Sequence, residues 1–141
     1  MKKIERKIQN IFKEWLRDNS KYDNRFMVLT KRDEIDTYKN KSGTVKTFSY
    51  YLWNTAIFEC SQVNEKVFTF TIKNDGWETK TTKSRLNLFL NLFDMSVFQK
   101  DFEWYIDYKG KVYDFYKFCN NPVFFNRETM EITNLNLKEQ A

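Results

Sequence analysis

A chain of 141 residues with 24 basic side chains, 19 acidic side chains, two cysteines and no histidine is long enough to bury one core. The missing histidine excludes Ser–His and Cys–His nucleophile pairs and His-containing zinc sites, and two distant cysteines make no zinc site by themselves. A net charge of +5 favours acidic partners: nucleic acid, an acidic protein face or anionic lipid.

No G-x-x-x-x-G-K-[ST] or G-x-G-x-x-G loop is present, so the sequence predicts neither an enzyme nor a cofactor site. Every apolar run is broken before it reaches the length of a membrane span. Residues 1–19 are charged throughout and lack the apolar stretch of a signal peptide, which predicts a cytoplasmic protein. Cys60 and Cys119 are expected as two buried reduced thiols rather than a disulfide.

Residues 2–18 place Ile4, Ile8, Ile11, Phe12 and Trp15 on one helical face, with Lys2, Lys3, Arg6, Lys7, Lys13 and Arg17 mostly off it. The spacing predicts an amphipathic helix that docks its apolar stripe on the domain. Its basic face is either simply solvated or laid on nucleic acid or a membrane surface. Residues 19–24 read as a turn and 26–30 as a short strand. The segment 31–43, KRDEIDTYKNKSG, reads as a mobile connection or an exposed excursion.

From residue 44 the apolar period becomes two, predicting strands over 44–50, 55–61 and 66–72. In the last, Phe68, Phe70 and Ile72 point inward. Residues 82–94 read as a largely buried helix, with Leu86, Leu88, Phe89, Leu90, Leu92 and Phe93 around most of the cylinder and Thr81 or Thr82 as N-cap. A strand follows over 97–108, then a hairpin turn at Lys109-Gly110 and a returning strand over 111–118. Residues 123–125 and 130–133 add edge pieces, and the polar tail 134–141 is expected to fray. The order predicts an α+β fold in a single domain over 1–141: an antiparallel sheet of about five strands with one buried helix on a face, an amphipathic N-terminal helix over 1–20 and a core over 44–118.

Residues 49–118 resemble a family of small bacteriophage proteins. The resemblance rests on Tyr50, Tyr51, Asn54 and Thr55, on Gly76-Trp77, on Thr79, Thr81, Thr82, Lys83, Arg85 and Asn87 (a G-W-x-T-x-T-T-K-x-R-x-N pattern), and on the run from Val97 to Tyr105. The chain departs from that family in carrying Asp75-Gly76 where two glycines are common, and Tyr51-Leu52-Trp53 where a histidine often follows the first tyrosine. The resemblance implies a phage or prophage origin, hence the host cell cytoplasm, and no settled activity.

The strongest candidate site is the stretch 74–87, NDGWETKTTKSRLN. A helix start offers free N–H groups and partial positive charge, to which Lys80, Lys83 and Arg85 add full charges, Thr79, Thr81 and Thr82 hydroxyls, and Trp77 a stacking face. The same residues read equally well as a structural joint, with Trp77 plugging a gap and threonine only capping. A second candidate is a stacking platform of Tyr50, Tyr51, Trp53, Tyr105, Tyr108, Tyr113 and Tyr116 beside Lys100, Lys109, Lys111 and Lys117, set against a plain aromatic core. A third, weaker still, is the nuclease-like Glu78-Thr79-Lys80 with Asp75 nearby. The preferred reading is a protein that binds nucleic acid without strong sequence preference. The alternatives are an anti-CRISPR-type inhibitor of a host nuclease complex and a structural component of the virion.

Overall fold

The computed structural model describes residues 1–135. In chain order the elements are α1 (Lys3–Arg17), β1 (Phe26–Val28), β2 (Asp33–Lys39), β3 (Lys46–Leu52), β4 (Thr55–Gln62), β5 (Val67–Ile72), α2 (Lys80–Leu90), β6 (Met95–Lys100), β7 (Glu103–Tyr108), β8 (Lys111–Asp114), α3 (Phe115–Cys119), β9 (Val123–Asn126) and β10 (Ile132–Asn134). The strands form a seven-stranded sheet in the order β1-β2-β3-β4-β5-β9-β10 and a three-stranded sheet β6-β7-β8, with every pairing antiparallel.

The expected α+β domain with about five strands is therefore incorrect: the described residues are mainly β, with ten strands in two sheets and three α-helices. Two local features account for the difference. The segment expected to be a mobile connection supplies β2, which pairs along its whole length with β3, from Asp33 opposite Leu52 to Lys39 opposite Lys46. Its alternation is inverted in sign, since Asp33, Ile35 and Thr37 are the buried side, so two of three inward residues are polar. The single strand expected over 97–108 is instead a hairpin, β6 and β7, turning at Asp101-Phe102. Residues 111–118 likewise divide: β8 ends at Asp114, whose carboxylate accepts from the N–H groups of Tyr116 and Lys117 at 2.9 and 3.0 Å and caps α3. Of the tail expected to fray over 134–141, Asn134 ends β10, and the residues beyond Leu135 lie outside the described ones.

One aromatic core holds the large sheet to the helices. The predicted stripe of α1 buries Ile8, Ile11, Phe12, Trp15 and Leu16. Phe12 packs on Phe48, Phe58 and Phe89, and Phe89 of α2 stacks on Phe58 with centroids 4.1 Å apart and planes 3° from parallel. Each such phenylalanine contributes about 1.5–3 kcal/mol through burial. A β-bulge opposite Tyr50 and Tyr51 lets both Ile57 and Phe58 of β4 turn inward, where strict alternation would send one of them out. The Trp104 and Phe115 rings, 5.1 Å apart, anchor the small sheet to α3.

Helix α2 joins the two sheets. One side carries Leu86 and Phe89 into the aromatic core. On the other, Asn87 pairs with the backbone of β6: its side-chain NH₂ donates to the Val97 carbonyl at 3.1 Å, and its oxygen accepts from the Val97 N–H at 2.7 Å. The two long helices lie parallel, because Ser84 donates to Glu5 at 2.7 Å and Gln9 donates to the Leu88 carbonyl at 2.8 Å, each a step of 79 residues. Their N-termini are thus at the same end of the molecule. Among the described residues no helix is long and apolar enough to cross a membrane. Both cysteines are free, Cys60 buried in β4 and Cys119 half-buried at the end of α3. Burial pushes both thiols up, that of Cys119 to about 12.

Candidate functional site

The candidate site forms where the β3–β4 hairpin meets the N-terminus of α2. Two residues, Trp53 and Asn54, connect β3 to β4, and both have positive φ, 48° and 66°. A two-residue turn of this kind matches the strand twist and normally uses Asn or Gly. A tryptophan there is strained by about 1–2 kcal/mol. On the facing side, Asn74 is buried and its side-chain oxygen accepts from the Gly76 N–H at 3.1 Å, while the Trp77 N–H bonds the Asn74 carbonyl at 2.8 Å. This turn, with Asp75 and Gly76 both at positive φ, presents Trp77 outward.

The result is a cleft of about 160 Å³ lined by Leu52, Trp53, Ile57, Trp77, Thr79, Thr81 and Thr82. Trp53 is 51% exposed and Trp77 52% exposed. Trp77 therefore does not plug the gap between sheet and helix. Thr79, rather than Thr81 or Thr82, is the N-cap of α2: its hydroxyl oxygen accepts from the Thr82 N–H at 3.1 Å. The first turn of α2 contains no acidic residue, and Lys80 is exposed there. The exposed Lys2, Lys3, Arg6 and Lys7 of α1 lie at the same end, because the helices are parallel. Arg32 stands next to Trp53, accepting the Trp53 N–H on its carbonyl at 2.9 Å.

The remaining expected site residues are placed differently. Thr81 is half-buried on the cleft wall, and Thr82 is buried, its hydroxyl 2.9 Å from that of Thr79. Lys83 leans the other way, donating to Gln99 at 2.9 Å and sitting 5.5 Å from the Trp104 ring centroid. Arg85 is 2% exposed and is unavailable as a surface cation. It donates through Nε to Asp33 at 2.8 Å and through Nη2 at 3.4 Å, with Nη1 3.5 Å from Glu5. Asp33 also accepts from Thr30 at 2.6 Å and from the Tyr50 hydroxyl. Burial alone would raise the Asp33 carboxyl, but the Arg85, Thr30 and Tyr50 hydrogen bonds and the Arg85 charge outweigh it and hold it below the usual range. The Ser84 hydrogen bond, with help from Lys2 and Arg85, holds Glu5 low as well. Burial, with Asp33 alongside, pushes the Tyr50 hydroxyl far up. This network ties α1, α2, β2 and β3 together beneath the cleft.

The tyrosine platform does not form. Tyr50 and Tyr113 are buried, Tyr51 lies on the large sheet, and Tyr105 and Tyr108 lie on the small one. Among the described residues no group of three or more His, Cys, Asp and Glu is arranged to hold a metal, and Glu78 stands exposed. Sequence reasoning missed Asp33, hidden in the segment expected to be mobile, and the pairing of Trp53 with Trp77. The signal for the latter was Trp53-Asn54 standing alone between two strand patterns.

Fold and site together define a mainly β protein with a two-tryptophan cleft beside two parallel helix N-termini. The chain belongs to the Kyanoviridae Gp96 protein family, a phage protein family, whose model matches residues 1–131. The match takes in α1 and β2, which lie outside the stretch 49–118 of the sequence resemblance. Comparison with curated proteins and with solved structures finds no match.

Proposed function

We propose that this phage protein acts by binding, without catalysis, and that its ligand is single-stranded nucleic acid taken without strong sequence preference in the host cytoplasm. The observation that carries the reading is the pair of half-exposed tryptophans bordering one cleft at the start of a helix whose first turn holds no acidic residue. An unpaired base has a π-face for each indole, a contact worth about 1–3 kcal/mol per base. Lys80, the N–H groups of the first turn of α2 and the basic start of α1 supply the phosphate contacts. Thr81 on the cleft wall supplies a hydroxyl. A duplex buries its base faces in the stack, so the cleft favours single strands.

The test is a titration of labelled single-stranded DNA, single-stranded RNA and duplex DNA over a range of salt. The reading expects single strands to bind more tightly than duplex, with affinity falling steeply as salt rises. Absence of binding to all three at low salt overturns it. A stoichiometric, salt-resistant complex with a host nuclease in that case would favour the inhibitor reading instead.

A further inference from the structure

A second surface carries the opposite charge. The β6–β7 hairpin turns on Asp101 and Phe102, both at positive φ, 51° and 66°. Phe102 is 91% exposed, more than any other large apolar residue among the described ones. A polar residue or glycine would make this turn with less strain and would leave no ring in water. The ring stands at the edge of a cleft of about 440 Å³ lined by Glu78, Phe102, Glu103, Trp104, Asp114 and Tyr116. Three of these six are carboxylates and the other three are aromatic. None of the three carboxylates forms an ion pair among the described residues, although the chain has 24 cationic side chains. Lys100, directly opposite Glu103 across the turn, is not within ion-pair distance of it. Tyr116 accepts from Asn74 at 3.2 Å and lies beside Glu78. Trp104, 1% exposed, forms the floor of the cleft.

We propose that this cleft is a docking site for a basic segment of a partner protein. Each part of such a segment has a counterpart. Arginine or lysine side chains meet Glu78, Glu103 and Asp114, and their aliphatic stems and charged heads lie against Phe102 and Tyr116. Nucleic acid is repelled by the same carboxylates, so this face does not continue the two-tryptophan cleft, although Glu78 adjoins Trp77. The protein would then hold nucleic acid on one face and a basic protein on the next. Nucleic-acid-handling proteins are rich in such basic segments.

The probes are a short peptide alternating arginine with glycine and a matched peptide alternating glutamate with glycine, titrated into isotopically labelled protein and followed by amide chemical shifts. The expected result is binding of the arginine peptide only, with shifts concentrated at residues 101–104 and 114–117. Phe102→Ser should weaken it by about fivefold or more, the range of an interface anchor. Glu103→Gln should weaken it in the same direction and steepen no salt dependence. Since Phe102 is almost wholly exposed, its variant keeps the spectrum of the folded chain elsewhere. Single-stranded DNA affinity should be unchanged in Phe102→Ser, so failure of this proposal is distinguishable from failure of the nucleic-acid reading. Equal binding of both peptides, no binding of the arginine peptide, or indifference to both substitutions overturns the proposal. So does sedimentation showing that Phe102 instead holds two copies of this chain together.

Discussion

Replacing Arg85 by alanine tests whether this cation is a structural tie or a ligand contact. In the folded chain its guanidinium makes two hydrogen bonds to Asp33, which is fully buried, and approaches Glu5 at 3.5 Å. Removing it leaves the Asp33 carboxylate in the interior with only Thr30, Tyr50 and the distant edge contact to Arg32 at 3.7 Å. Breaking one side of a buried pair costs about 3–5 kcal/mol. A chain of this size has about 5–15 kcal/mol of stability in all, so the loss is a large share of it. With a urea slope of about 2 kcal/mol per M, the unfolding midpoint should fall by about 2 M. The pH dependence adds a second signature. Asp33 and Glu5 are held below their ordinary values in the folded state, so the unfolded chain binds more protons as pH falls through about 4. Their stabilisation is complete above that range and is lost on acidification. In Arg85→Ala the buried Asp33 has lost its cation, and burial then favours the protonated form. The gap between wild type and variant should be widest at neutral pH and narrow toward pH 3. A cost below about 1 kcal/mol, or a gap unchanged between neutral and acid pH, would refute the network as described.

Thr79→Ala removes the observed cap of α2 and should cost about 1 kcal/mol by urea unfolding, whereas Thr81→Ala should cost much less. Trp53→Asn should raise the urea midpoint by relieving a left-handed tryptophan, while weakening single-stranded DNA binding by anisotropy. A gain of stability with loss of binding is the pattern of a residue kept for its surface role.

Much of the framework was legible in the sequence because periodicity reports burial directly. The stripe from Ile8 to Trp15, the alternation Phe68-Phe70-Ile72 and the Lys109-Gly110 turn all appear where expected. What was not legible depended on partners distant in sequence. Asp33 reads as a solvent residue until Arg85, 52 positions away, meets it in the core. For the same reason Arg85 reads as a surface cation. The Asp101-Phe102 turn lacks glycine, so the pattern of 97–108 reads as one strand and the number of strands comes out too low. Of the candidate site, Trp77, Thr81 and the buried Thr82 line one cleft, Lys80 is exposed on the first turn of α2 beside it, Lys83 turns to the small sheet, and Arg85 serves the interior.

The most direct measurement of the central claim is the affinity of Trp53→Ala, Trp77→Ala and the double variant for a labelled single-stranded DNA at low salt. Both side chains are half-exposed, so all three variants should fold. Each single substitution should weaken binding by about 1–3 kcal/mol, roughly 5- to 150-fold, and the double variant further. A double variant that binds as tightly as the wild type would contradict the account.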